Sequence, residues 1–134
     1  MQSRLVVFLI LLLASCGDVR SLEETSAQFQ QDREQLGQLA VSALACEDAS
    51  RFEANQTERT DCVGEIARGL ERLGYHRALV DEGRWRVAFV NGDDGTAIGN
   101  VISGIAYYRV PRTPQNGETP LTQPPHQWFY FQHD

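Results

Sequence analysis

The sequence predicts an α+β fold in which an N-terminal αα-hairpin packs on a three- to four-stranded antiparallel sheet. Apolar residues recur at helical spacing in the first half of the chain, up to Gly74. After Gly74 apolar and polar residues alternate, which is the period of a strand with one solvated face. Helices followed in sequence by strands are typical of α+β domains, so the helices should cover one face of the sheet.

The first predicted helix covers residues 22–47. Ser21 stands three residues before Glu24, which is the spacing of a capping box at a helix N-terminus. The apolar residues that fall near one face of this helix are Leu22, Phe29, Leu36, Ala40, Ala43 and Leu44. Because the first half of the helix is mostly polar, residues 16–35 are predicted to form a weakly packed helical stalk.

A second helix is predicted over residues 58–73, after a polar connection. Its apolar stripe consists of Cys62, Ile66, Leu70 and Leu73, and Gly74 occupies the position of a C-terminal glycine cap. Cys46 continues the stripe of the first helix, so both thiols point at the interface between the helices. We therefore predict a disulfide between Cys46 and Cys62, which should contribute about 3 kcal/mol by restricting the unfolded chain.

The strands follow from alternation. Residues 84–89 read Arg-Trp-Arg-Val-Ala-Phe, and a hairpin across Asp81-Glu82-Gly83 should pair them with residues 75–80. Residues 101–110 form another predicted strand, and residues 127–132 form the last. All five prolines fall within residues 111–125, which are predicted to be a loop.

The final strand carries four consecutive aromatic residues. Trp128 and Tyr130 should face one way, and Phe129 and Phe131 the other. One pair should pack under the helices, and the proline-rich loop is expected to cover the other pair. The alternative is that the second pair lies exposed and contacts a sugar or a peptide.

The charge of the chain excludes one class of partner. All 12 basic residues are arginine, 18 residues are acidic, and the net charge is −6. An acidic chain without a basic stripe is a poor binder of nucleic acid, since phosphate contacts dominate that affinity. The same charge would be repelled by anionic lipid, so any attachment to a membrane needs an anchor.

The N-terminus supplies the pattern of such an anchor. Arg4 precedes ten apolar residues, Leu5 to Ala14, a run too short to span a bilayer but typical of a signal peptide. Leu13-Ala14-Ser15-Cys16 resembles the lipobox of bacterial lipoproteins. The resemblance implies that residues 1–15 are removed as a signal peptide, and that Cys16 carries acyl chains, palmitate among them, that hold the protein on the bilayer.

Residues 16–134 are then one lipid-anchored domain facing the periplasm, which is an oxidising compartment. In that family an aspartate directly after the cysteine often marks retention at the inner membrane. Gly17 occupies that position here, and Asp18 comes one residue later. The resemblance therefore favours the cell outer membrane.

Signatures of catalysis and of metal binding are missing from the sequence. The histidines, His76, His126 and His133, have no helical metal spacing, so no catalytic residue, metal or cofactor is assigned. Residues 91–95, Asn-Gly-Asp-Asp-Gly, could suggest calcium, but they lack the alternating acids of an EF-hand and suit a hairpin turn. The chain is accordingly not expected to be an enzyme.

A second, local resemblance concerns residues 103–107. Ser103-Gly104-Ile105-Ala106-Tyr107 is similar to the Ser-Gly-x-x-Tyr motif of bacterial inhibitors of chicken-type lysozyme. That resemblance implies that Ser103 and Tyr107 would enter a lysozyme cleft. The family is an all-β barrel, whereas this chain devotes about half of its mature length to predicted helices.

The expected function is a non-catalytic interaction or accessory role in the cell envelope, with an envelope protein or peptidoglycan as partner. The alternatives are a lysozyme-inhibitor-like protein and a small envelope enzyme. Tight interfaces depend on a few aromatic and arginine anchors, and the sheet is rich in both. The residues predicted to contact a partner are Arg84, Arg86, Trp128 and Tyr130.

Overall fold

The computed structural model describes residues 19–93 and 101–133. Helix α1 covers Leu22–Ala45, and helix α2 covers Cys62–Leu73. The strands are β1 (Arg51–Glu53), β2 (Arg77–Val80), β3 (Arg86–Asp93), β4 (Ile102–Tyr108), β5 (Glu118–Pro120) and β6 (Trp128–His133). Within this described part, neither helix is long and apolar enough to cross a membrane.

The strands form one sheet in the order β1-β2-β3-β4-β6-β5. Every neighbouring pair is antiparallel. The register places Ala106 of β4 opposite Ala88 of β3 on one side and opposite Phe129 of β6 on the other. The register of β3 against β4 shifts between Val90 and Gly92.

The predicted α+β class, with its helix pair and antiparallel sheet, is confirmed, but the predicted number of strands is wrong. The sheet has six strands because β1 lies in the predicted polar connection and β5 lies in the predicted proline-rich loop. Each of these two strands has three residues. A segment of that length is too short for alternation to be recognised in the sequence.

The first turns of helix α1 lie against the sheet and do not form a weakly packed stalk. Thr25 and Phe29 are both fully buried. The Phe29 ring centroid is 5.2 Å from that of Trp128 on β6. The stalk predicted for residues 16–35 is therefore wrong for residues 22–35, because a mostly polar segment needs only two or three buried side chains to dock.

The helix ends match their sequence signals. The Ser21 hydroxyl accepts a hydrogen bond from the Glu24 amide at 3.1 Å, as expected for an N-cap. The Asp61 carboxylate accepts one from the Gly64 amide at 3.3 Å and so caps α2. Gly74 ends α2 with φ of 82°, a conformation that glycine adopts without steric cost.

The disulfide between Cys46 and Cys62 is confirmed, with Cα atoms 5.9 Å apart. Cys46 directly follows helix α1, and Cys62 is the first residue of helix α2. The bond therefore joins the end of one helix to the beginning of the next and closes the connection that contains β1.

Both faces of the sheet are covered. The face under the helices carries Phe52, Phe89, Ile105 and Trp128, which are buried together with the apolar stripes of both helices. The opposite face has its own buried cluster: Ala88, Val90, Ala106, Tyr108, Phe129 and Phe131. The expectation that all four aromatic residues of the last strand are buried is thus confirmed, since none is more than 7% exposed.

Candidate functional site

The sheet has two ends, which we call the proximal and the distal pole. At the proximal pole β3 and β6 end and β4 begins; at the distal pole β3 and β6 begin and β4 ends. Helix α1 starts near the proximal pole, where Thr25 contacts Asn91, and ends near the distal pole, where Arg84 contacts Leu44. The helix therefore spans the domain from one pole to the other.

A network of buried polar groups fixes the chain to the proximal pole. The Arg20 amide donates to the Ser103 hydroxyl at 2.8 Å, and that hydroxyl donates to the Asn91 side chain at 3.0 Å. The Asn91 amide group donates in turn to Thr25 at 3.1 Å. The Tyr130 hydroxyl donates to the Arg20 carbonyl oxygen at 2.8 Å. These contacts hold the backbone just before α1 on the ends of β4 and β6.

This network buries Ser103, so its hydroxyl is not accessible to another protein. This residue is fully buried, whereas Tyr107, on the same strand, is half-buried. A hydroxyl that is enclosed by Asn91 and the Arg20 backbone cannot enter the cleft of another protein. The geometry required by the resemblance to lysozyme inhibitors is therefore missing at Ser103.

Arg84, a predicted partner residue, instead closes the C-terminus of helix α1. Its guanidinium donates to the carbonyl oxygens of Leu44 at 2.8 Å, Ala49 at 3.2 Å, and Ala43 and Cys46 at 2.6 Å each. Its φ of 55° is uncommon for a residue with a side chain. A cation at this end also complements the helix dipole, so the role of Arg84 is structural.

Arg86, a second predicted partner residue, lies in a charged cluster on the sheet face away from the helices. It is 3.5 Å from Glu118 and 3.6 Å from Asp81, and its Nε donates to the Tyr108 hydroxyl at 3.1 Å. The side chains of Arg86 and Glu118 are 13% and 2% exposed. Glu118 of β5 and Tyr108 of β4 enclose Arg86, so little of its side chain is accessible to a partner.

Tyr108 contributes its phenol hydroxyl to this charged cluster. Burial raises the pKa of its phenol above the usual value, and the hydrogen bond that it donates to Glu118 raises it further, while Arg86 opposes the rise. The phenol therefore stays protonated at neutral pH and remains a donor to Glu118. The arrangement satisfies a buried carboxylate and presents no reactive group to solvent.

The remaining predicted partner residues, Trp128 and Tyr130, are each 7% exposed. The Trp128 ring lies 4.7 Å from that of Tyr107 under helix α1. All four predicted partner residues are thus occupied within the domain.

The distal pole exposes a different set of anchors, which we call the arginine–aromatic patch: Trp85, Arg109, Val110 and Arg112. Trp85 is 40% exposed and Val110 is 72% exposed. The Arg112 guanidinium carbon lies 5.1 Å from the Trp85 ring centroid and 4.8 Å from that of Tyr108. Arg109 donates to the Arg84 carbonyl oxygen at 3.3 Å. Among residues 19–93 and 101–133, neither Arg109 nor Arg112 forms an ion pair with a carboxylate.

A groove beside helix α1 adjoins the patch. It has a volume of about 690 Å³, and Arg109 belongs both to its wall and to the patch. Its other lining residues are Val41, Leu44, Ala45, Glu47, Gly83, Arg84 and Tyr107. We call it the helix groove. It places apolar surface next to the Arg109 guanidinium, which has no carboxylate partner among the described residues.

None of the three histidines forms an ion pair with a carboxylate among the residues that the structure describes. His126 contacts the Thr122 carbonyl oxygen at 2.8 Å, and His133 stacks on Phe131. Cys46, Asp48 and Cys62 lie within ligand distance of one another, but both cysteines are in the disulfide and offer no thiolate to a metal. Of the turn at residues 91–95, residues 94 and 95 lie outside the described residues.

No protein-family model, no curated protein and no solved structure matches this chain.

The partner residues predicted from the sequence do not include Trp85, Arg109, Val110 or Arg112. A signal for Arg109 and Val110 exists. Alternation in β4 ends at Tyr108, and Pro111 and Pro114 prevent the chain from continuing as a paired strand. Arg109 and Val110, between the end of β4 and Pro111, therefore have exposed side chains, whereas Arg112 is partly buried.

Proposed function

We propose that the protein is a lipid-anchored, non-catalytic interaction or accessory protein of the cell envelope, acylated at Cys16 and facing the periplasm from the outer membrane. The lipobox-like sequence Leu13-Ala14-Ser15-Cys16 carries this proposal, and the hydrogen bonds of Arg20 at the proximal pole set the geometry of the anchored domain. Cys16 precedes Arg20 by four residues, which can reach about 14 Å at most. An acylated Cys16 therefore keeps the proximal pole close to the bilayer.

The distal pole then points away from the membrane. Helix α1 has 24 residues and spans the two poles, a length of about 36 Å. The arginine–aromatic patch lies at the far end of this helix, where the anchoring membrane cannot cover it. Exposed tryptophan and arginine side chains at such a position are typical anchors of protein interfaces.

Stable membrane binding through Cys16 requires more than one acyl chain. Each buried methylene contributes about 0.8 kcal/mol, so one chain binds marginally and two or three bind firmly. The net charge of −6 adds no attraction to anionic lipid. Membrane attachment should therefore depend on Cys16 alone.

Replacing Cys16 with alanine is expected to release the protein from the membrane fraction or to leave its precursor uncut. The measurement is fractionation of the envelope followed by gel migration of the precursor and mature forms. The control is Ser15→Ala, which keeps a small residue before the cysteine and should behave as the native chain does. If Cys16→Ala fractionates and migrates like the native protein, the anchor is not at Cys16.

A further inference from the structure

We propose that the arginine–aromatic patch binds an acidic peptide segment of a partner protein, with Arg109 and Arg112 pairing with its carboxylates and Trp85 and Val110 contacting an apolar side chain. The inference rests on the proposed function, because it names the kind of partner that the distal pole accepts.

The Arg112 guanidinium is preorganised to bind a planar anion such as a carboxylate. Its guanidinium lies against the rings of Trp85 and Tyr108, so its position is fixed before any partner arrives. Its Nε is buried and has no hydrogen-bond partner among the described residues, so an external carboxylate can reach only the two terminal nitrogens. A stacked guanidinium keeps its N–H groups in its own plane, where a carboxylate can accept two of them.

Arg109 provides a second cation in the patch, and its backbone amide donates to the Trp85 carbonyl oxygen at 3.0 Å. Among the described residues its side chain has one hydrogen-bond partner, the Arg84 carbonyl oxygen, and the side chain is exposed. By contrast, Arg86, which is also at this pole, already has Asp81 and Glu118 as partners. The patch is therefore a local positive site on a chain of net charge −6, and electrostatic complementarity favours an acidic partner.

The surroundings favour a peptide over a sugar or a lipid headgroup. The helix groove that continues from Arg109 contains Val41, Leu44 and Tyr107 beside Glu47, so it suits an apolar side chain of the peptide and disfavours a carboxylate. Its other arginine, Arg84, already donates to four carbonyl oxygens, so sugar hydroxyls would find few free donors. With Cys16 anchored, headgroups of the same membrane lie at the opposite pole.

The test is selection from a library of random short peptides displayed on phage, with the full exported chain in detergent micelles as the target. Enriched peptides should contain glutamate or aspartate next to an apolar residue. Their affinity, measured by fluorescence anisotropy, should fall about tenfold or more with Arg112→Gln and again with Arg109→Gln, because each change removes a charged hydrogen bond. Arg72→Gln, an exposed arginine on helix α2, is the matched control and should leave affinity unchanged.

The same protein is tested against vesicles of anionic phospholipid and against soluble peptidoglycan fragments. Tighter binding to either of these than to the selected peptides, sensitive to Arg112→Gln, would replace the peptide with that ligand. Selection of peptides without acidic residues, or affinity unaffected by both variants while thermal melting shows them folded, would overturn the proposal. Neither result would affect the anchor at Cys16, which fractionation tests separately.

Discussion

Phe29→Ala is expected to lower the free energy of unfolding by about 3–5 kcal/mol, as is typical of phenylalanine truncation in a core. Phe29 is fully buried between helix α1 and the sheet, and its ring lies against Trp128. Truncation would leave a cavity beneath the early turns of α1, where few other large apolar side chains could fill it.

Chemical denaturation of the two proteins measures this effect. The control is Val41→Ala on the same helix, since Val41 is 62% exposed and its truncation should change stability by no more than about 0.5 kcal/mol. If Phe29→Ala were as mild as Val41→Ala, the early turns of α1 would be a detached stalk, as the polar sequence suggested.

Glu118→Ala is expected to destabilise the domain by about 3–5 kcal/mol, because it leaves the buried guanidinium of Arg86 without its most buried counter-charge. The Glu118 side chain is 2% exposed. The Tyr108 hydroxyl and the Gln115 amide also donate to this carboxylate. Asp81, at 3.6 Å and 36% exposed, can compensate Arg86 only in part.

A double-mutant cycle with Arg86→Ala and Glu118→Ala separates the interaction energy of this pair from the effects of each residue's other contacts. The double variant should lose less stability than the two single variants added together, since removal of both charges leaves neither one uncompensated. The control pair is Arg51 and Glu53, which are only 2.6 Å apart but have side chains 63% and 28% exposed. Their cycle should give about 1 kcal/mol or less. Equal coupling energies for Arg86–Glu118 and Arg51–Glu53 would show that burial does not strengthen the Arg86–Glu118 interaction.

Much of the architecture could be predicted because local signals coincide with it. The stripe of helix α2 runs from Cys62 to Leu73, and the glycine cap follows at Gly74. The alternation of β3, β4 and β6 predicted their positions, and the shared interface of the thiols predicted the Cys46–Cys62 bond. In each case the residues that carry the signal are close in sequence.

The parts that failed depend on contacts between distant residues. The alternating pattern places Arg84 at a polar position of a strand. In the structure its guanidinium instead contacts carbonyl oxygens about 40 residues earlier in the chain. Arg86 also occupies a polar position of the pattern, but β5 pairs with β6 and places Glu118 over the Arg86 side chain. Exposure of Arg109 and Val110 follows from where β4 ends, which alternation alone does not reveal.

We propose that the anchored domain presents its distal pole to a partner protein. Site-specific photo-crosslinking in intact cells tests it most directly, with a photoreactive phenylalanine placed at Val110 or at Leu22. Both positions are exposed, Val110 in the patch and Leu22 at the start of helix α1 near the proximal pole. We expect a discrete protein adduct from position 110 that disappears with Arg112→Gln and no such adduct from position 22. A discrete adduct from position 22 alone, unaffected by Arg112→Gln, would contradict the claim and place the interaction at the membrane-facing pole.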